Sequence, residues 1–232
     1  MKVMLLAAGK GERMRPLTSH TPKPLLQAGG YSLLEHLIRK LAAHDFTDLV
    51  INHAWLGQQV EDAFGDGSKL GVHIAWSRET EPLETAGGII KALPLLGDAP
   101  FAVVNGDIFT DYPFGKLRTA LAAQDHVHLV LVANPEHHPK GDFSVDRTGR
   151  LQLPAASSSQ TTATFTYSGI GVFHPRLFAG VTEMKYPLLS LLTQAINSQQ
   201  ASGSVFTGTW MDIGTPQRLA QLDQQLKAGI HG

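Results

Sequence analysis

Lys10, Arg13, Arg15 and Lys23 fall within one short basic segment near the start of the chain, opposed there only by Glu12. They stand in LLAAGKGERMRPLT (5–18) and TPKPLL (21–26), just after an apolar run. Glycines let backbone N–H groups approach phosphate oxygens closely, and a nearby helix N-terminus adds a favourable field. Such a segment therefore points to a bound phosphate-like anion, although a glycine turn with solvated charges leaves similar marks. Two carboxylates add a second chemistry. VVNGDIF puts Asp107 after an apolar run, and WMDIGTP puts Asp212 just before a Gly-Thr-Pro helix start. Each aspartate alone also suits a turn or a helix cap. Together they suit phosphoryl chemistry, where Mg²⁺ on one or two carboxylates neutralises a departing pyrophosphate.

Two phosphate-binding signatures are excluded by spacing. GxxxxGK[ST] is absent, and the dinucleotide fingerprint GxGxxG would need glycine where Met14 stands. No acidic ribose-binding residue follows the second strand either.

Positioning these groups requires elements whose ends meet. VMLLAA (3–8) is an unbroken apolar run, as in a strand buried on both faces. Ser32 and Glu35 form a capping box, and Leu34, Leu37, Ile38 and Leu41 recur at helical spacing. Further strands are expected at 49–53, 72–76, 101–105 and 127–132, with helices at 56–64, 86–93 and 114–123. Strands alternating with helices predict an α/β, Rossmann-like, mostly parallel sheet with helices on both faces, and loops after its strands meet at the carboxyl edge. After Asn134-Pro135 the pattern changes: strands at 143–145, 151–153 and 164–173, then helices at 186–198 and 215–228. This predicts a mixed or antiparallel extension on the same core. The polar tract AASSSQTTAT (155–164) reads as a surface loop.

The bulk properties narrow the partners. The chain has 232 residues, 43% of them hydrophobic and 17% charged, with a formal net charge of −1. No global field recruits nucleic acid or an anionic membrane, so anion binding must be local. Cysteine is absent, which excludes disulfides and thiolate zinc sites. No run approaches the roughly 18 apolar residues of a membrane span. The expected setting is the cytoplasm, as a monomer or weak oligomer.

LAAGKGERMRPLTSHTPKPLL resembles the N-terminal signature G-x-G-x-R-x-x-x-L-T-x-x-x-x-K-P of the sugar-1-phosphate nucleotidyltransferases. Gly9, Gly11, Arg13, Leu17, Thr18, Lys23 and Pro24 carry the match. INHAWLGQQVEDAFGDGS, LETAGGI, VNGDIFTD and WMDIGTP resemble segments of a group within that family, the N-acetylmuramate α-1-phosphate uridylyltransferases of bacterial cell-wall recycling.

The resemblance implies one nucleotidyltransferase domain over 1–232, with 1–135 mainly holding the nucleotide and 136–232 mainly the sugar. It implies that Ala7, Ala8, Gly9, Gly11 and Arg13 hold the triphosphate of UTP, with Lys23 near the reacting phosphates and Asn105 beside them. Asp107 and Asp212 correspond to the metal aspartates, with Mg²⁺ as the cofactor. Thr85, Gly87 and Gly88 correspond to the nucleobase pocket, and Gly141, Ser168 and Gly169 to positions that meet the sugar-1-phosphate acceptor.

Three departures matter. Many relatives have Leu-Gly-Thr where this chain has Leu83-Glu84-Thr85. Some read uracil with a glutamine where Glu79 stands; an ionised glutamate only accepts hydrogen bonds, so Glu79 is expected to favour the N3–H of uracil over cytosine. The Glu-Lys-Pro segment whose lysine helps bind the sugar phosphate has no counterpart. Arg78 or Lys140 could meet a lactyl carboxylate. Uridylyl transfer to N-acetylmuramate α-1-phosphate is the first reading. Another acceptor (glucose-1-phosphate, mannose-1-phosphate or phosphocholine) and a non-catalytic nucleotide-sugar sensor stay open.

Overall fold

The computed structural model describes residues 1–154, 163–182 and 185–229. β1 (Val3–Leu6) is followed by the short pair β2 (Gln27–Ala28) and β3 (Tyr31–Ser32), then α1 (Leu33–Ala42) and β4 (Asp48–His53). Next come α2 (Gly57–Phe64), β5 (His73–Arg78), α3 (Glu84–Leu96), β6 (Phe101–Asn105), β7 (Ile108–Thr110) and β8 (Val127–Val132). The remainder carries β9 (Ser144–Val145), β10 (Leu151–Gln152), β11 (Thr166–Phe173), α4 (Leu188–Asn197), β12 (Ala201–Phe206), β13 (Trp210–Asp212) and α5 (Pro216–Lys227).

Seven strands form the central sheet in the order β12-β8-β11-β6-β1-β4-β5. Its neighbours are parallel except β11, which runs antiparallel to both β6 and β8. This is the expected α/β class, with its antiparallel component in the later part of the chain. Residues 155–162 of the expected surface loop lie outside the described residues.

The period-2 alternation of strands explains the layers. Val3 and Leu5 of β1 face one side and join Leu34, Leu37, Ile38 and Leu41 of α1. Met4 between them faces the other side, with Ile89 and Ala92 of α3 and Leu191, Leu192 and Ala195 of α4. Each fully buried aliphatic or Phe side chain contributes about 1.5–3 kcal/mol. The α1 start is as predicted: Ser32 Oγ accepts from Glu35 N at 3.2 Å.

A third cluster, smaller and away from the sheet, positions the chemistry. Met14, Leu26, Ala28 and Leu33 pack there against Ile213, Leu219 and Leu222. Met14 and Ile213 each neighbour a charged residue in sequence, Arg13 and Asp212, so burying one anchors the other.

Two local expectations change. The segment at 114–123 forms only a 3₁₀ stretch, Phe114–Thr119. Its buried residues are Phe114 and Leu117, an i,i+3 pair that one such turn places on one face. β12 (ASGSVF) was not expected, because its small and polar residues carry little alternation. It adds to the sheet beside β8, where His128 bonds Ser202 Oγ at 2.9 Å and Ser204 Oγ at 3.0 Å. Among the described residues no helix is long and apolar enough to cross a membrane.

Candidate active site

Register brings the site loops together. Leu6 at the end of β1 pairs with Asn105 of β6 on one side and Asn52 of β4 on the other. The loop after β1 and the turn after β6 therefore leave the same sheet edge. They approach closely: Gly106 N donates to Leu6 O at 2.8 Å, and a Cβ at Gly106 would stand 2.7 Å from that oxygen. Only glycine fits between Asn105 and Asp107.

A cleft of about 800 Å³ opens over this edge. Ala7, Gly9, Gly11, Arg13, Lys23, Thr85, Asn105 and Asp107 all line it. Lys10, Arg13 and Lys23 make one wall cationic, whereas Glu81 and Glu84 stand on the wall below α3. Lys23 Nζ is ion-paired with Asp107 Oδ2. The polarity suits a polyphosphate along the first loop, with uncharged donor groups toward the acidic wall.

Asp212 reaches this region through strand pairing. β13 runs antiparallel to β7, with Asp212 opposite Ile108, and Ile213 N donates to Asp107 O at 2.7 Å. The two aspartates thus sit one register position apart across a two-stranded ribbon. Asp212 itself lines an adjoining cleft, and Arg13 borders both. Asp212 Oδ1 accepts from Arg218 Nη1 at 2.9 Å and lies 3.0 Å from His137 Nε2. Sequence reasoning singled out neither partner. The available signal was the short Gly214-Thr215-Pro216 turn, which folds the first turn of α5 back over Asp212.

The donor set fits Mg²⁺. Among the described residues no group of three or more His, Cys, Asp or Glu side chains could hold a metal. Asp107 and Asp212 would supply two carboxylates and leave the remaining positions to water and phosphate oxygens, which is how Mg²⁺ is commonly held.

Several expected residues lie elsewhere. Ala8 is half-buried between the lining residues Ala7 and Gly9. Gly87 and Gly88 are buried in the first turn of α3. Glu79 is only 6% exposed, and both its oxygens are taken: Asn52 Nδ2 donates at 2.7 Å and Leu83 N at 3.2 Å. Asn52 Oδ1 in turn accepts from Ala7 N at 2.8 Å. Glu79 is therefore a brace between β4, the first loop and α3. In this arrangement its carboxylate does not line the cleft. Burial raises its pKa above the ordinary glutamate value, against the lowering effect of those two donors.

Glu84 takes φ 62°, the left-handed conformation that glycine adopts without strain. The backbone expected of Leu-Gly-Thr is thus kept while an acidic side chain is added to the cleft wall. Lys185 also lines the cleft and has no ion-pair partner among the described residues. The next residue fixes its place, since Tyr186 O accepts from Ala86 N at 3.1 Å and Gly87 N at 3.2 Å.

The sugar-side residues divide. Ser168 is 1% exposed and its hydroxyl donates to Val130 O at 2.6 Å, so the hydroxyl is structural. Gly169 abuts Asn105: a Cβ there would stand 2.6 Å from Asn105 Nδ2. Trp210 Nε1 donates to Ser168 O at 2.8 Å, tying this bulge to the Asp212 strand. Gly141 lies against Asn134 and Phe165, away from the cleft. Arg78 is held by both oxygens of Glu61 at 2.7 and 2.6 Å, and Lys140 is exposed.

Known proteins resemble this chain over nearly its whole length. N-acetylmuramate alpha-1-phosphate uridylyltransferase of Neisseria meningitidis serogroup B is 47% identical over 228 residues, spanning 95% of this chain and 96% of that protein. The protein of the same name from Caulobacter vibrioides is 32% identical over 92% of each chain. The crystal structure of HddC from Yersinia pseudotuberculosis superposes with a TM-score of 0.81, covering 97% of this chain and 98% of that one; at 18% identity this speaks for the fold alone. The nucleotidyl transferase family profile matches residues 2–229, and with that match the chain belongs to the nucleotidyl transferase family as a nucleotidyltransferase.

Proposed function

We propose that this nucleotidyltransferase transfers the uridylyl group of UTP to N-acetylmuramate α-1-phosphate, giving UDP-N-acetylmuramate and pyrophosphate. The setting is cytoplasmic peptidoglycan recycling. The carrying observation is one cleft edge where the glycine-rich basic loop, Lys23 and Asp107 meet, with Asp212 beside Asp107 on a paired strand. The end-to-end relative at 47% identity supports uracil and muramate as the substrates' distinguishing parts. Residues 1–135 then serve mainly the nucleotide and 136–232 mainly the sugar.

The acceptor's phosphate oxygen attacks the α-phosphorus in line. A new Pα–O bond forms as the bond from Pα to the bridging oxygen of pyrophosphate breaks. The nucleophile is already ionised at neutral pH, so the reaction needs neither a general base nor a covalent enzyme intermediate, and catalysis rests on positioning and electrostatics. Backbone N–H groups of the first loop and Arg13 hold the triphosphate. Lys23 leaves Asp107 for the reacting phosphates as they enter. Asp107 and Asp212 would hold Mg²⁺, which neutralises charge on the departing pyrophosphate. Thr85 bounds the base, while Gly87 and Gly88 let the start of α3 pack close behind it. Lys185, across the cleft from the first loop, is the cation placed for the acceptor's phosphate. Gly169 with Asn105 bounds the sugar side.

Mg²⁺-dependent pyrophosphate release across a grid of nucleoside triphosphates and phosphorylated acceptors tests this reading. The expected best pair is UTP with N-acetylmuramate α-1-phosphate. A different best pair replaces the substrate, and no release with any pair supports a nucleotide-sugar sensor instead.

A further inference from the structure

We propose that Arg218 and His137 are positioning residues for Asp212, fixing one carboxylate oxygen so that the other faces a metal ion. This rests on the reading of Asp212 as a metal ligand. Asp212 Oδ1 takes both contacts, from Arg218 Nη1 at 2.9 Å and His137 Nε2 at 3.0 Å. His137 Nδ1 lies 2.9 Å from the same Arg218 Nη1. The same Nη1 lies 2.7 Å from His137 Nε2, so the guanidinium donates to Oδ1 and faces the edge of the imidazole ring with its other N–H. The three groups therefore form a closed set around one oxygen.

The other oxygen points elsewhere. A Cβ built on Gly214 would stand 3.1 Å from Asp212 Oδ2, 2.5 Å from Arg218 Nη2 and 3.3 Å from Arg13 Nη2. Gly214 lines the main cleft, so Oδ2 lies on the side of the turn where Arg13 stands. The absent side chain at 214 is what lets the guanidinium lie flat across the turn.

The anchoring is local and stiff. Arg218 N donates to Thr215 Oγ1 at 3.3 Å, which caps α5, and Leu219 and Leu222 bury the next turns in the third cluster. Arg218 Nε is buried and bonds to nothing among the described residues, so the head group is held through its Nη ends.

Two opposing effects give the test a sign. A cation beside a ligating carboxylate weakens metal binding by simple repulsion. Partners that orient the carboxylate strengthen it, and losing such partners typically costs 10–100-fold in affinity. Positioning is the effect inferred here.

The experiment is a calorimetric titration of the full chain with Mn²⁺ as probe, alongside thermal melts. Arg218→Gln is expected to weaken Mn²⁺ binding by about 10–100-fold. Arg218→Lys, which keeps the charge but loses the planar fork, should recover only part of it. His137→Ala, at a half-exposed position that does not threaten folding, should weaken binding in the same direction. Unchanged affinity in folded Arg218→Gln and His137→Ala, with lowered melting temperature alone, overturns the inference, as does tighter binding. If the unaltered chain and Asp212→Ala bind Mn²⁺ equally, the metal reading of Asp212 itself fails.

Discussion

The two aspartates of the site are held in opposite ways. Asp107 leaves a buried parallel strand and meets a single ammonium, Lys23, on a flexible stem. Asp212 leaves a short ribbon strand and meets a guanidinium and an imidazole on one oxygen. An ammonium is a compact point charge that moves readily between carboxylate and phosphate, whereas a planar fork fixes orientation. The difference teaches that the Asp107 side is arranged to exchange partners when substrate enters, and the Asp212 side to stay put.

Removing either carboxylate should have the largest effect. Asp107→Ala and Asp212→Ala are each expected to abolish measurable pyrophosphate release while far-UV circular dichroism stays unchanged. Substantial Mg²⁺-dependent turnover in either would remove that residue from the metal site. Lys23→Ala comes next, with an expected loss of about 10²–10³-fold in kcat/KM for UTP, the scale of one lost electrostatic contact to the transition state. A smaller loss than that of Arg218→Gln would reverse the proposed division between exchanging and fixed partners.

Glu79→Gln probes the brace beneath the cleft. It should leave the UTP-over-CTP ratio unchanged, because both carboxylate oxygens bond within the protein. Its mark should be on stability. Burial raises the folded-state pKa of Glu79, so the folded state holds the proton more tightly than the unfolded one. Stability from this group is therefore fully present below the unfolded pKa and lost as pH rises through the folded value. Melting curves from pH 7 down to pH 5 should show the unaltered chain gaining relative to the variant. A pH-independent difference would mean that Glu79 titrates alike in both states. Smallest, Ser32→Ala should cost about 1 kcal/mol of stability through the lost cap and leave kcat untouched. A change in kcat there would show that α1 reaches the site through Leu33, which packs with Met14 and Ile213 in the third cluster.

Legibility followed the range of the interactions. The strands at 101–105 and 127–132 were readable because their apolar runs are local, and so was the capping box at Ser32. The phosphate loop was readable because glycines and cations cluster within it. Asp107 and Asp212 were legible as candidates from their short motifs. The brace was not: Asn52 of β4, Glu79 and Ala7 come from three separate segments, and a buried glutamate looks like an exposed one in sequence. The role of His137 was not legible, since its partner Asp212 is distant along the chain.

The sequence by itself determined the α/β alternation and the glycine-rich basic loop, because helical period, strand period and backbone reach act over a few residues. Only the tertiary structure decided that Glu79 faces Asn52 and not the cleft, that Glu84 keeps a glycine's backbone, and that Asp212 is gripped by Arg218 and His137. Those outcomes depend on which loop ends the sheet register brings within hydrogen-bonding distance, and register is set by the packing of the whole core.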